Sequence, residues 1–268
     1  MEFFSYLEDV GKKQPVVHHL TNWVTIYQCA QVVKSFKASP VMAHAAEEVA
    51  DMASIASALV LNIGTLTRDF VDSMIKAALS ANSKGIPVVL DVCGAGATPF
   101  RDDMCFRILN ECRIDVIKGN CSEIAKIAGE NVITKGVDSG EVTADMKKLA
   151  FALAKSKDSI VVVTGAVDIV TDGKLIYEIF NGHEMMSHVV GTGCMATSVI
   201  GTFAAISQNR LEAIVSGLCC FEIAAELAVS KGAGPGSFIN MVFDEIYSLN
   251  KDIIQKMQRV NLCKDIIL

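Results

Sequence analysis

The sequence has no block of lysine and arginine residues, and acidic side chains outnumber basic ones. It carries 30 Asp and Glu against 24 Lys and Arg, a formal net charge of −6 at pH 7. Aromatic residues make up only 6% of the chain and are not interleaved with its glycine-rich turns. Nucleic acid and anionic membrane surfaces attract basic, aromatic-lined surfaces, so we expect neither as a partner.

Paired cysteine spacings and long apolar runs are also missing. The nine cysteines form no Cys-x-x-Cys pair, which argues against a zinc ribbon. No apolar run approaches the roughly 20 residues that cross a bilayer. The first residues, MEFFSYLEDV, lack the basic flank and apolar core of a signal peptide. We therefore expect a soluble cytoplasmic protein whose thiols are reduced.

What the sequence does contain is a series of short aliphatic runs that alternate with helical patterns. The runs cover residues 15–22, 39–43, 58–65, 86–97, 114–120 and 159–165. Most are apolar at nearly every position, which is typical of strands covered on both faces of a parallel sheet. Helical patterns cover residues 44–57, 69–85, 121–130, 143–156, 194–207, 211–230 and 238–258. The alternation predicts a layered α/β/α fold with a mostly parallel central sheet.

One segment, 168–180, breaks this alternation. It has two strand-like runs around Asp172-Gly173, which predicts a β-hairpin with a type I′ turn and therefore an antiparallel edge to the sheet. We find no internal repeat, low-complexity tract or linker, so the simplest organisation is a single domain over residues 1–268.

Polar and glycine residues follow the predicted strands at their carboxyl ends, in the order LTN, NIGT, DVCGAGAT, KGNCSE and TGAVD. In open α/β sheets, ligands bind outside the carboxyl ends of the strands. Five such ends on one rim predict a single site there.

Several residues on this rim suit the binding of metal or phosphate. Asp91 is either a metal or hydroxyl acceptor or a turn cap. Asn120 and Glu123 have the spacing of a capping box, and the same oxygens suit magnesium beside a nucleotide. Lys118 and Thr164 suit phosphate, although a surface lysine and an ordinary turn are equally open interpretations.

The sharpest local feature is the segment Gly191-Thr192-Gly193-Cys194. Two glycines let backbone N–H groups converge, and a helix that begins near Cys194 adds the positive end of its dipole, so we predict an anion site. A thiol placed there should be more acidic than a free one. The segment lies too late in the chain for a Rossmann fingerprint. A Cys194 dyad with His183 or His188 lacks an orienting motif, and we assign no role to His18 or His19.

Nine stretches follow one another in the order known from a single enzyme family: 20–25, 38–48, 59–66, 84–91, 94–101, 116–124, 161–168, 191–199 and 234–238. Among them, SPVMA, GTGC and GPGSF are together the most specific motifs. On these motifs the chain resembles the hydroxyethylthiazole kinases, thiamine-salvage enzymes of the ribokinase-like superfamily. The resemblance implies a ribokinase-like fold. It also implies ATP- and Mg²⁺-dependent phosphorylation of the hydroxyl of 5-(2-hydroxyethyl)-4-methylthiazole, for thiamine biosynthesis or salvage, by a homotrimer with the substrate site at the subunit interface.

The resemblance also implies roles for individual residues. Cys194 stands where most ribokinase-like sugar kinases have a catalytic aspartate. Substrate-binding roles fall to Met42, Gly191 and Asn22. Roles in binding ATP or its phosphates fall to Lys118, Thr164, Gly193 and Asn120. The magnesium residues are Glu123 and Asp91.

Three features depart from the family pattern. Lys118 replaces the usual arginine, Val92-Cys93 replaces Pro-Val in the DPVG motif, and residues 258–268 extend beyond the resemblance. The alternatives are another ribokinase-like kinase, for a pyrimidine alcohol or a sugar, and a nucleotide-dependent dehydratase or sensor on the same fold.

Overall fold

A single nine-stranded sheet forms the centre of the computed structural model, which describes residues 3–130 and 145–263. The strands are β1 (Val16–Leu20), β2 (Ser39–Val41), β3 (Ala58–Asn62), β4 (Val88–Asp91), β5 (Val116–Asn120), β6 (Ile160–Thr164), β7 (Asp168–Thr171), β8 (Ile176–Ile179) and β9 (Val260–Cys263). They lie in the order β2-β1-β3-β4-β5-β6-β7-β8-β9. Pairing is parallel from β2 to β6 and antiparallel from β6 to β9.

Helices cover both faces of the sheet. They are α1 (Phe3–Lys13), α2 (Ile26–Ser35), α3 (Val49–Ile55), α4 (Arg68–Lys84), α5 (Pro99–Glu111), α6 (Cys121–Ile127), α7 (Met146–Lys157), α8 (Thr192–Ala204), α9 (Arg210–Ser230), α10 (Phe238–Ser248) and α11 (Lys251–Met257). Helices α3 to α7 bury one face, and α1, α2 and α8 to α11 bury the other. Successive strand residues point to opposite layers: Val60 packs with the second group, and Leu59 and Leu61 with the first. The predicted α/β/α layering is confirmed.

All six predicted strands are present, and β7 and β8 form the predicted antiparallel hairpin. The predicted type I′ turn was wrong, because that turn requires positive φ at both central residues. Here only Gly173 has a positive φ, of 77°. The Asp172 carboxylate accepts hydrogen bonds from the backbone N–H groups of Lys174 and Leu175. This stabilises a longer loop, closed by the pairing of Thr171 with Ile176.

The helix predictions were less complete. The segment predicted as one helix over 238–258 divides into α10 and α11, because the side chain of Asn250 caps a new helix at the N–H of Ile253. Helix α3 begins later than predicted, at Val49. The predicted start of α7 lies outside the described residues. Helices α1, α2 and α5 and strand β9 were not predicted, and β9 forms the edge of the sheet beside β8.

Helix α9 is apolar and long enough to cross a membrane by length and composition alone, which corrects the expectation that no stretch reaches that length. Of its most apolar window, 78% is buried inside the protein. Its side chains contribute to the core beside α8 and α10. Such burial is typical of a central helix in a layered domain.

Helix α8 is held close to the sheet by a glycine. A Cβ atom on Gly201 would lie 2.4 Å from Cγ2 of Val60 in β3, closer than real Cβ atoms approach a neighbour. On the outer side of α8, a Cβ on Gly217 of α9 would lie 2.6 Å from the ring of Phe203. The two glycines therefore let α8 lie tightly between β3 and α9, which fixes the position of its amino terminus.

We expect Gly201→Ala to lower the free energy of unfolding. Overpacking costs about 1–3 kcal/mol, whereas alanine gains at most about 1 kcal/mol of helix propensity over glycine. Urea denaturation followed by circular dichroism measures the change. Gly236→Ala is the matched control, since nothing lies within 4 Å of a Cβ there. Equal stability of the two variants would contradict close packing of α8 on β3.

Candidate active site

The carboxyl ends of the parallel strands bring most of the predicted site residues together. Strand register places Asn62 opposite Asp91, Asp91 opposite Lys118, and Asn120 opposite Thr164. The amino terminus of α8 lies against this edge, because Thr197 Oγ1 of α8 donates a 2.6 Å hydrogen bond to Asp91 Oδ2. The predicted rim is therefore a continuous row of polar side chains facing a helix terminus.

A buried ion pair forms the centre of the row. Lys118 Nζ lies 3.3 Å from Asp91 Oδ2, and the two side chains are only 6% and 1% exposed. Burial opposes the charge on Lys118, but the nearby carboxylates of Asp91 and Glu123 outweigh it and raise its pKa above the usual value. Lys118 is therefore a permanent positive charge at this edge, and the interpretation of an ordinary surface lysine is ruled out.

Asp91 uses its two oxygens differently. Oδ2 accepts from Lys118, Thr197 and the Nδ2 of Asn62, the last at 2.9 Å. Oδ1 is buried and has no hydrogen-bond partner among the described residues. A buried, unpartnered carboxylate oxygen is unfavourable unless a ligand satisfies it. This oxygen therefore suits a cation or a cation-bound water.

Cys194 is surrounded by amide donors. Its Sγ accepts from Asn22 Nδ2 at 3.2 Å and from Asn62 Nδ2 at 3.4 Å. A hydrogen bond from the Cys93 thiol is the main reason that the pKa of Cys194 falls to about 6, with burial and Asp91 opposing and Lys118 assisting. The same hydrogen bond and, after it, burial raise the pKa of Cys93. The Cys194 thiol is therefore more acidic than a free thiol, which is the predicted direction, but the main cause is the neighbouring Cys93 thiol and not the helix terminus.

The glycines before Cys194 bring backbone close to charged and polar side chains. Gly191 has φ 103° and precedes α8, which begins at Thr192, two residues earlier than predicted. A Cβ on Gly191 would lie 2.9 Å from Cγ2 of Thr25, and one on Gly193 would lie 3.3 Å from Nζ of Lys118. The first N–H groups of a helix have no intrahelical acceptor. The N–H groups at the start of α8 therefore lie beside the Lys118 ammonium, and together these groups are suited to binding an anion.

Asn120 and Glu123 form the capping box of α6. The Asn120 side chain accepts from the Glu123 N–H at 2.9 Å, and Glu123 Oε2 accepts from the Asn120 N–H at 2.7 Å. Glu123 Oε1 also accepts from the Gly94 N–H at 2.6 Å. Burial and, after it, the Asp91 carboxylate raise the pKa of Glu123 to about 7. The Lys118 ammonium and the hydrogen bonds from the N–H groups of Gly94 and Asn120 act in the opposite direction. The capping interpretation is confirmed, and the magnesium role stays a prediction.

The contacts of two further predicted residues, among the described residues, are with backbone or neighbouring groups and not with the side chains of Asp91, Lys118 or Cys194. Thr164 ends β6 and its hydroxyl donates to the Gly119 carbonyl at 3.4 Å. Met42 is half-buried and follows the edge strand β2, where its carbonyl contacts His44. Their binding roles stay predictions. No group of three or more metal-ligating side chains occurs among residues 3–130 and 145–263.

Sequence reasoning assigned no role to four participants. Asn62 and Cys93 follow aliphatic strands and were visible as polar residues at a strand end. Thr197 lies three residues after Cys194, one helical turn along α8, and thus on the same face. Arg101 was also missed: its guanidinium donates to the carbonyls of Ile63, Gly64 and Cys93, which joins the loops after β3 and β4.

The histidine alternatives find no support. In the described part of the chain, the hydrogen-bonding partners of the Cys194 thiol are asparagines, threonine and cysteine, and none is histidine. His183 instead caps a short 3₁₀ helix at the N–H of Met185. His18 and His19 are buried and each contacts a backbone carbonyl.

Comparison with known proteins identifies the family of the chain. The model of the hydroxyethylthiazole kinase family matches residues 7–252. A hydroxyethylthiazole kinase of Methanosarcina mazei is 53% identical over 254 residues, covering 95% of this chain and 97% of that protein.

Solved structures show the same relationship. A hydroxyethylthiazole kinase of Pyrococcus horikoshii OT3 superposes with a TM-score of 0.90 at 40% identity, over 98% of this chain and 99% of the other. A ribokinase-like superfamily protein of Enterococcus faecalis V583 has a TM-score of 0.60 at 13% identity, over 91% and 89% of the two chains, and shares the fold alone. The predicted ribokinase-like architecture is confirmed, and the chain belongs to the hydroxyethylthiazole kinase family.

Proposed function

We propose that this kinase transfers the γ-phosphoryl group of ATP to the hydroxyl of 5-(2-hydroxyethyl)-4-methylthiazole, with Mg²⁺, in thiamine biosynthesis or salvage. The observation that carries the proposal is the convergence of the Cys194 thiolate, the Lys118 ammonium and the amino terminus of α8. The family named by the comparisons gives the substrate class. We also propose a cytoplasmic location.

Phosphoryl transfer depends mainly on positioning and on neutralising charge. The helix terminus at Gly193 and the ammonium of Lys118 are suited to the oxygens of the transferring group. Asn120 and Thr164, at the ends of β5 and β6, are the neighbouring residues we assign to the ATP phosphates. Asn22, Gly191 and Met42 are assigned to the alcohol substrate.

The site fits a magnesium ion through Asp91, whose buried Oδ1 has no partner in the described ranges 3–130 and 145–263. When bound there, Mg²⁺ would neutralise phosphate charge. Glu123 would assist, since each of its oxygens keeps a second lone pair beside the backbone N–H that it accepts.

Cys194 is assigned to the proton of the attacking hydroxyl. The alcohol oxygen bonds to the γ-phosphorus while the bond to the β–γ bridging oxygen breaks and its electron pair leaves with ADP. The hydroxyl proton passes to the Cys194 thiolate and then to solvent. The products are the phosphate ester, ADP and one proton.

The direct test is ADP release from ATP and Mg²⁺ with the thiazole alcohol, compared with a pyrimidine alcohol and a sugar. We expect turnover with the thiazole alcohol and at most traces with the others.

We expect Cys194→Ala to lower kcat roughly 10- to 100-fold. General bases typically contribute about 10²–10⁴-fold, and a loose transition state needs little proton removal.

The wild-type rate should also fall below pH 6, where the thiolate, with its pKa of about 6, becomes protonated and no longer accepts a proton.

Cys263→Ala is the control for the Cys194→Ala variant, since Cys263 lies on the edge strand β9. A Cys194→Ala kcat within twofold of wild type would show that the thiol is not catalytic.

Asp91→Asn should raise the Mg²⁺ concentration needed for half-maximal activity and lower kcat by at least about 100-fold. Loss of the charge removes several kcal/mol of the stabilisation that a metal ion supplies. Initial rates over a Mg²⁺ titration measure both effects. Asp172→Asn in the β7–β8 loop is the control. An unchanged Mg²⁺ dependence in Asp91→Asn would place the metal elsewhere.

We further propose a homotrimer with Met42 at the subunit interface. Trp23, Val24 and Tyr27 form an exposed apolar patch, with exposures of 48%, 64% and 67%. The Trp23 ring contacts the ring of His44, close to Met42, at a centroid distance of 4.7 Å. Exposed contiguous apolar surface of this kind suits a protein contact.

Sedimentation equilibrium should give three times the 28.7 kDa chain mass. Val24→Glu should shift the protein towards the monomer, because it places a charge in the apolar patch. Leu79→Glu, on an exposed apolar position of α4, should leave the mass unchanged. A monomeric wild-type protein would refute the trimer.

A further inference from the structure

Asn62 is completely enclosed and makes four polar contacts. Asn62 is the last residue of β3, and the residue is only 1% exposed. Its Nδ2 donates to Asp91 Oδ2 at 2.9 Å and to Cys194 Sγ at 3.4 Å. Its Oδ1 accepts from Asn22 Nδ2 at 3.1 Å and from the Gly64 N–H at 2.9 Å. One amide group thus contacts both the carboxylate and the thiol of the site.

The orientation of this amide is determined by its neighbours. A backbone N–H can only donate, so the group facing Gly64 must be the oxygen, and the NH₂ must face Asp91 and Cys194. Asn22 is oriented in the same way, because its Oδ1 accepts from the N–H and the hydroxyl of Thr25. Two asparagines, each oriented by a backbone N–H, therefore aim donors at one sulfur atom.

The turn that orients Asn62 is itself held in place. A Cβ on Gly64 would lie 2.9 Å from Asn62 Oδ1 and 3.1 Å from Asn22 Cβ, so only glycine lets the backbone approach. The Arg101 guanidinium donates to the Gly64 carbonyl at 2.8 Å and to the Ile63 carbonyl at 2.9 Å. The amide of Asn62 is thus preorganised by the scaffold.

The contact with Asp91 also sets which carboxylate oxygen is left available. Asn62, Thr197 and Lys118 all bond to Oδ2, whereas Oδ1 remains buried with no partner among the described residues. Removal of Asn62 would let the carboxylate rotate and would leave the thiol with one amide donor fewer. Both reacting groups would lose the same restraint.

We propose that Asn62 is a positioning residue that couples Asp91 to Cys194, holding the carboxylate and the thiol in one geometry through its Nδ2 group. The inference rests on the proposed function, which assigns phosphoryl transfer to these two groups. Asn62 contacts no reacting atom of the substrate in this account and acts through its two partners.

Asn62→Asp keeps the shape and the acceptor for Gly64, but it replaces the N–H donor with an acidic oxygen and therefore also places a negative charge beside Asp91 and Cys194. We expect kcat to fall at least about tenfold, as for loss of a preorganised donor. The KM values for ATP and the alcohol should stay within about threefold, since positioning rather than binding is lost. Asn240→Asp, exposed on α10, is the matched control. Asn62→Ser, which removes the amide donor without adding a charge, separates the two effects and should lower kcat as well; it also replaces Asn62→Asp if thermal melting shows that the latter does not fold.

A double-mutant cycle with Cys194→Ala tests the coupling. If Asn62 acts through Cys194, the Cys194→Ala substitution should cost much less in the Asn62→Asp background than in wild type. A role in general stability would instead make the two losses in kcat multiply. Multiplying losses, or a kcat for Asn62→Asp within twofold of wild type, would overturn the proposal.

Alkylation by iodoacetamide at pH 7 without substrates separates this inference from the proposed function. Tryptic peptides 175–210 and 260–264 contain only Cys194 and only Cys263, respectively. The uncharged Asn62→Ser variant should slow alkylation of Cys194 at least about fivefold by removing a donor to the thiolate, with Cys263 unchanged, and Asn62→Asp should slow it at least as much. If the wild type phosphorylates no thiazole alcohol, the proposed function fails while alkylation still tests the coupling. A Cys194 alkylation rate within twofold of wild type would overturn it.

Discussion

The ion pair between Asp91 and Lys118 is the constraint on which the rest of the site depends. Both side chains are almost completely buried, on neighbouring strands. A buried charge without a partner costs several kcal/mol, so each of the two residues offsets the burial of the other. Asp91 also receives Thr197 of α8 and Asn62 of β3. The carboxylate therefore joins three strands and one helix at a single oxygen atom.

The crowding around this pair explains the small residues nearby. A side chain at Gly193 would meet the Lys118 ammonium, and a Cβ on Gly119 would lie 2.8 Å from Cγ2 of Val92. Because Gly193 and Gly119 have no side chains, the backbone at the start of α8 can lie close to the Lys118 ammonium. Burial also raises the pKa of Glu123 to about 7, which limits the negative charge that this carboxyl adds beside Asp91.

The substitution of Val92-Cys93 for the family's Pro-Val has a structural counterpart. Arg101 donates to the Cys93 carbonyl at 3.2 Å, as well as to the preceding loop. This restrains the loop where a proline ring would otherwise do so. The Cys93 thiol also acts on the site, because its hydrogen bond is the main cause of the low pKa of Cys194. Cys93, which was not among the predicted site residues, thus lowers the pKa of Cys194, the group that we assign to accept the hydroxyl proton.

Much of the fold and part of the site followed from local pattern. Aliphatic runs identified β1 to β6 because strands buried on both faces must be apolar at almost every position. The Asn120–Glu123 spacing identified a capping box because its hydrogen bonds span three residues. The split between α10 and α11 and the edge strand β9 did not follow, since they depend on the cap at Asn250 and on pairing with β8.

The sequence by itself determined that polar residues gather at one edge of a parallel sheet and that a glycine turn opens a helix there. Only the tertiary structure decided which of them touch. Asn62 and Cys194 are 132 residues apart in the chain, and Thr197 and Asp91 are 106 apart. The periodicity of a segment encodes which of its faces is buried. It carries no information about the partner across the interface, which is set by strand register and by the packing of α8 against β3.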